Sequence, residues 1–364
     1  MKQPKSITEK LNQRKAENAF RELMVQGNRV DFFSNDYLGV AKMPFEGRMN
    51  YGSTGSRLIS GNSKFTERLE MYLANFYQQE AGLLFNSGYD ANLGFFSSIP
   101  QKGDTIFYDE LSHASIRDGI RLSFAKSFSF KHNDLKHLKE RFNREASRAE
   151  GAVYVVVESI YSMDGDTAPL DLLIELCEAN NAFLVVDEAH SGGLYGIGGS
   201  GLVTEKELDN RIFAKLITFG KAYGSHGAII LSSQIVKEYL INFARSFIYT
   251  TALSFHSQER IEFVVNEVAK KESERKKLRK NIEVFQSYSR SKKIKCVESD
   301  SPIQSILISG NEEAKKTAEK ILAKGFAVKA IMSPTVPKGE ERIRICLHSF
   351  NSEEEIKALI DSIQ

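Results

Sequence analysis

Between about residue 64 and residue 232 the chain keeps switching between two hydrophobic periods. Short apolar runs, GLLF, TIFYD, AVYVVVES, AFLVVDE, LITFG and AIILS, are separated by amphipathic stretches such as KFTERLEMYLANFYQQ. Runs that are apolar at nearly every position suit strands buried on both faces, and the stretches between them supply helical crossovers. Few folds satisfy both demands. The pattern predicts an α/β chain whose mostly parallel sheet is covered by helices on both faces.

At 364 residues the chain is longer than one hydrophobic core usually supports, so a second, smaller domain is expected. Its sequence character changes after residue 255. One long charged helix, ERIEFVVNEVAKKESERKKLRKNIEVFQ, is followed by SPIQSILIS, a helix at 312 to 324, FAVKAI, ERIRICL and a last helix, which together predict an α+β lobe. At the other end, Ile7, Leu11, Ala16, Phe20, Leu23 and Met24 fall at helical intervals. They predict a helix over residues 6 to 25 that packs back on the protein, and RVDFFSNDYLG reads as an extended stretch closed by a turn.

A formal net charge of +2 with 41% hydrophobic residues gives no strong field for nucleic acid or an anionic membrane. The basic run from Lys270 to Lys280 contains Glu272 and Glu274 at helical period and reads as a solvated face. Cys177, Cys296 and Cys346 are odd in number and far apart, so neither a disulfide framework nor a zinc site is legible. The N-terminus lacks an apolar signal core, and no run of about 18 apolar residues occurs. A soluble cytoplasmic protein with a small-molecule partner is expected, with no nucleic acid and no membrane.

The segment FLVVDEAHSGG, Phe183 to Gly193, ends an apolar run in Asp-Glu-Ala-His and admits three chemistries. A magnesium nucleotide would require an upstream GxxxxGK loop followed by Ser or Thr, and none exists; Gly220-Lys221 is followed by Ala222 and lies downstream. The GIGGSG stretch, Gly196 to Gly201, fits a dinucleotide fingerprint by letter but neither follows its strand at once nor opens a helix, so it reads as a turn. A metal is disfavoured because no HExxH occurs and the seven histidines are dispersed.

An organic cofactor fits better. Pyridoxal phosphate needs a buried carboxylate to keep its ring nitrogen protonated and a confined lysine amine to bind its aldehyde. Asp187 at the end of one apolar run supplies the first. Lys221, one crossover later in LITFGKAYGSHG, supplies the second, with Gly220, Ala222, Gly224 and Gly227 leaving room for a planar group.

Taken in order, YGSTGSRLISGN, FNSGYDAN, ESIYSMDGD, VVDEAHSGG, TFGKAYGSHGA and SPTVPKGEERIRI resemble the α-oxoamine synthases, which are fold-type I pyridoxal phosphate enzymes. The resemblance spans nearly the whole chain. It implies a homodimer with shared active sites, a large cofactor domain at residues 46–255, and a small α+β domain at 256–364 joined by the helix and extended segment of residues 1–45. It places the Schiff base on Lys221 and the pyridinium partner on Asp187, the pair that chemistry also selects. It further implies that His190 donates to the cofactor's phenolic oxygen, that Ser162 and Thr218 contact the cofactor, and that His113 stacks on its ring. Gly88 and Tyr89 match a main-chain phosphate site where a turn enters a helix, and Thr250 would reach the phosphate of the other subunit. Arg344 would clamp the amino-acid carboxylate, and Arg21 and Thr335 match substrate contacts. Asn35, Glu158, His226 and the Gly52–Arg57 loop line the pocket or interface without an assigned role. One departure is ALSFHS after TTAL, where relatives often carry prolines.

The family condenses an amino acid with an acyl thioester of coenzyme A or a carrier protein and expels CO₂. PTVPKG favours the branches that use alanine with a pimeloyl chain, in biotin synthesis, or make aminolevulinate. Glycine C-acetyltransferase is the alternative within the family, and an NAD oxidoreductase or a silent scaffold the alternatives outside it.

Overall fold

The computed structural model describes residues 4–23, 25–48, 52–145 and 150–363. Its strands, in chain order, are β1 (Val30–Asp31), β2 (Ala81–Phe85), β3 (Thr105–Asp109), β4 (Lys126–Phe130), β5 (Val153–Glu158), β6 (Ala182–Asp187), β7 (Ala214–Thr218), β8 (Ala228–Ser232), β9 (Ile303–Leu307), β10 (Phe326–Ala327), β11 (Lys329–Ile331) and β12 (Arg342–Cys346). The chain divides into two compact units, one of Met1–Tyr37, Ser162–Asp166 and Ser273–Gln364, the other of Leu38–Tyr161 and Thr167–Glu272. Among the described residues no helix is long and apolar enough to cross a membrane.

The second unit is built on a seven-stranded sheet in the order β2-β8-β7-β6-β5-β3-β4. Neighbours from β7 to β4 are parallel, and β8 runs antiparallel between β7 and β2. All six apolar runs read from the sequence are strands of this sheet. β4 was not foreseen: KSFSF lies at the sheet edge with its first two residues exposed, so it lacks the apolar run that betrays a buried strand. One side of the sheet is sealed by Leu83, Phe85, Phe95, Ile106, Val156, Val185, Leu216 and Ile230, all buried in one cluster. The helix Lys64–Phe76 buries Leu69 and Leu73 and is capped by the Ser63 side chain, which accepts from the Thr66 amide.

The long charged helix is two helices. Phe255–Ala269 buries Ile261, Val264, Val265 and Val268, and Glu272–Ser291 buries Leu278, Ile282 and Phe285. Between them the amides of Lys270 and Lys271 bond three residues back, to Glu267 and Val268, a tightening that ends a helix. The two apolar faces belong to different units. The C-terminal stretch of the first unit starts at Ser273, and its N-terminal stretch ends at Tyr37.

That first unit pairs β9, β12 and β11 in an antiparallel sheet and β1 with β10 in a parallel one. A capping box of Ser352 and Glu355 starts the last helix, Glu353–Asp361. The leading helix is shorter than its periodicity predicts, Lys5–Ala16, and none of its residues is buried. Asn18 takes a left-handed φ of 49° that stops it. Phe20 and Leu23 therefore lie beyond the helix, with Leu23 fully exposed, and Met24 lies outside the described residues.

Candidate active site

Three strands deliver functional side chains at their C-terminal ends: β5 ends in Glu158, β6 in Asp187 and β7 in Thr218. The loops that follow add His190 after β6, Lys221 after β7 and, beyond β3, His113. This is the end at which open α/β sheets bind ligands. Lys221 Nζ lies 2.7 Å from His190 Nε2. Asp187 accepts hydrogen bonds from Asn92 Nδ2 at 2.8 Å and from the Ala189 amide at 2.9 Å. Asn92 also donates to Ser115 Oγ, which lies 2.7 Å from His113 Nδ1, so a polar chain through the buried Asn92 and Ser115 links Asp187 to His113.

The Gly88–Ser98 helix brings its N-terminus to this site. Ser87 caps it by accepting from the Asp90 amide. A Cβ on Gly88 would lie 3.6 Å from Thr218 Oγ1, so the first turn rests directly against β7. Asn86, just ahead of the cap, donates to Thr250 Oγ1 at 3.2 Å and to the Thr251 carbonyl at 2.8 Å. A helix N-terminus thus lies beside the Thr218 hydroxyl, which favours an anion. Tyr89 is largely exposed, its hydroxyl donating to Asp118 at 2.5 Å.

Electrostatics separate the titratable groups. Burial pushes the His113 imidazole down against the opposing pull of Asp187, and the Lys221 cation pushes it down further. Burial, then the Asp187 charge, push the Glu158 carboxyl up to about 8. Glu188, the second acid of the DEAH quartet, serves structure instead: Ser191 Oγ and the Val203 amide donate to it, and a Cβ on Gly201 would strike it at 2.5 Å. Gly201 has φ +105°, as the turn reading of GIGGSG requires.

Arg344, Arg21, Thr335, Asn35 and Ser162 lie in the first unit. Arg344 is buried; its Nε donates to the Ser162 carbonyl at 2.6 Å and its Nη2 to Asn35 Oδ1 at 3.2 Å. Arg21 Nη2 reaches Thr335 Oγ1 at 3.5 Å. His226 is exposed between β7 and β8. Asn86, Asn92 and Ser115 were not singled out from sequence, although Asn86 and Asn92 sit inside the quoted FNSGYDAN, Asn92 one helical turn beyond Gly88. Among the described residues no group of three or more His, Cys, Asp or Glu side chains is arranged to hold a metal.

The donor set matches one cofactor. An amine, a buried carboxylate fixed by two N–H donors and a helix N-terminus beside a hydroxyl correspond to the aldehyde, ring nitrogen and phosphate of pyridoxal phosphate. With the doubly covered, mostly parallel sheet beneath them, they define the class of fold-type I pyridoxal phosphate enzymes. Within that class the chain belongs to the aminotransferase class I and II family, whose model matches residues 28–363.

Its relatives narrow the resemblance. The 8-amino-7-oxononanoate synthase of Emericella nidulans is 39% identical over 98% of this chain and 94% of its own length. The synthase of that name from Lysinibacillus sphaericus is 37% identical over 94% and 90%. Among solved structures, an 8-amino-7-oxononanoate synthase from Francisella tularensis superposes with a TM-score of 0.79 at 29% identity, covering 92% of this chain and 96% of that one. The Sphingomonas wittichii serine palmitoyltransferase superposes with a TM-score of 0.90 at 26% identity, covering 99% and 95%.

Proposed function

We propose that this chain is a pyridoxal phosphate-dependent acyltransferase that condenses an amino acid with an acyl thioester and releases CO₂. L-alanine and a pimeloyl thioester, of coenzyme A or a carrier protein, are the favoured substrates, giving 8-amino-7-oxononanoate for biotin synthesis. The observation that carries the reading is Lys221 Nζ held 2.7 Å from His190 at the strand ends that also present Asp187. Near-full-length similarity to relatives named 8-amino-7-oxononanoate synthase supports the substrate choice.

When bound, pyridoxal phosphate supplies an electron sink for the charge that develops at the amino acid's α-carbon. Asp187 holds the proton on the ring nitrogen, and His190 donates to the phenolic oxygen, with Ser162 as a further contact on the cofactor. His113 covers the ring. The amides of Gly88 and Tyr89 would take the phosphate, Thr218 would contact the cofactor, and Thr250 would reach the phosphate of the other subunit. Lys221 would hold the aldehyde carbon, and its Nζ would take the α-proton of the amino acid. Arg344, with Asn35 beside it, would hold the amino-acid carboxylate, and Arg21 and Thr335 would contact substrate. A cytoplasmic homodimer with shared active sites completes the proposal.

A matrix of amino acids against acyl thioesters, scored by thiol released, tests it. L-alanine with a pimeloyl thioester is expected to turn over fastest. The close superposition on serine palmitoyltransferase favours a second reading, another α-oxoamine synthase, which a preference for serine with a long chain, or glycine with acetyl-CoA, would select. K221A is expected to lose both turnover and visible absorbance with added cofactor, and normal turnover in that variant would refute the assignment.

A further inference from the structure

Glu158 has no part in the chemistry above, yet it is buried at the site. It closes β5 as Asp187 closes β6, and the two are partners in the parallel register, so their side chains leave the sheet on the same face. They are 3% and 7% exposed. Two buried carboxylates side by side cannot both ionise cheaply, and environment decides which one keeps a proton.

The donors are unequal. Asp187 accepts from Asn92 Nδ2 and the Ala189 amide, whereas Glu158 accepts the His113 amide at 2.6 Å. The other groups facing Glu158 are the Lys221 cation, the Asp109 carboxylate at the end of β3 and the phenol of Tyr161. Asp109 accepts from the amides of Leu111 and Asn133 and is bonded to His132 Nδ1. His113 itself is pushed towards its neutral form by burial. One lysine therefore stands against three acids. The direction in which burial and Asp187 drive Glu158 agrees with the geometry.

We propose that Glu158 is the proton-holding member of a carboxyl pair with Asp187, a neutral acid that leaves Asp187 as the anion of the pair and fixes the main chain of His113. This rests on the pyridoxal phosphate reading for its purpose, since an ionised Glu158 would push the shared proton onto Asp187 and deprive the ring nitrogen of its counter-charge. Glu158 acts through its neighbours and is a positioning residue.

Infrared difference spectroscopy of the cofactor-free protein during a pH titration tests it. Wild type at pH 7 should show a protonated-carboxyl C=O band that disappears as pH rises through about 8, and E158Q, which keeps an acceptor for the His113 amide, should lack it. In D187N the like charge is gone, so the midpoint should fall by about one unit or more. A wild type without the band, an E158Q that retains it, or an unmoved midpoint in D187N overturns the proposal. Because no cofactor enters the measurement, a protein that gains no visible absorbance with pyridoxal phosphate would sink the proposed function and leave this result to stand or fall by itself.

Discussion

Asp187, the proposed counter-ion of the ring nitrogen, is held in place by hydrogen bonds from Asn92 and the Ala189 amide. D187N retains a side-chain oxygen for one of these donors and is expected to fold with a nearly unchanged thermal midpoint, while turnover falls by about 10²-fold or more. Thiol-release rates within about threefold of wild type would remove Asp187 from its role. Glu158 yields a separate expectation. Its carboxyl holds a proton more tightly folded than unfolded, up to about 8 against an ordinary 4.5. The stability this confers is complete below about 4.5 and is lost as pH rises to about 8, because over that window the folded state binds the extra proton. E158Q apoprotein should therefore lose less stability than wild type between about pH 5 and about pH 8, measured by denaturant unfolding, and parallel profiles would count against a raised Glu158. Lys221 and Asp187 were legible because each ends or follows an apolar run with chemistry that little else explains. The Asn92–Ser115–His113 chain was not, since it joins side chains from two helix starts that only the folded sheet brings together.

Elements were legible in proportion to how fully they are buried. β5 and β6 are apolar at almost every position and declared themselves, whereas β4 at the edge and the break at Lys270–Lys271 did not. The break was hidden because helical period continues across it; only the different partners of the two apolar faces reveal two helices. The Gly88–Ser98 helix shows how an element becomes part of a site. Ser87 Oγ accepts from the Asp90 amide at 3.1 Å and donates to the Asp90 carboxylate at 2.8 Å, fixing the turn that packs against Thr218. S87A should cost about 1 kcal/mol of stability through the lost cap. Its second effect should be weaker cofactor retention, read as a raised concentration of pyridoxal phosphate for half-maximal absorbance. Lost stability with unchanged cofactor affinity would confine Ser87 to a structural role.

At the scale of the whole chain, the two units divide the predicted chemistry between them. Residues for the cofactor's aldehyde, ring nitrogen and phosphate fall in the second unit, and Arg344, Asn35, Arg21 and Thr335 in the first. Composition and the change of character after 255 revealed that two lobes exist, but not that Ser162–Asp166 belongs with the chain ends. That strip is held by contacts remote in sequence: Arg344 Nε to the Ser162 carbonyl, Ser305 Oγ to the Met163 carbonyl, and the pairing of Arg342 with Asp164. The division makes the two halves of the proposed chemistry separable by mutation. Lysine at position 344 keeps the positive charge but loses the planar fork that grips a carboxylate through two parallel hydrogen bonds. R344K should therefore retain the visible absorbance of bound cofactor, while the KM for L-alanine rises roughly tenfold, as expected for the loss of about 1.4 kcal/mol of charge-assisted bonding. Absorbance titration with pyridoxal phosphate and steady-state thiol release measure the two halves separately. An R344K enzyme with unchanged KM, or one that has lost cofactor binding instead, would mean that Arg344 does not hold the amino-acid carboxylate.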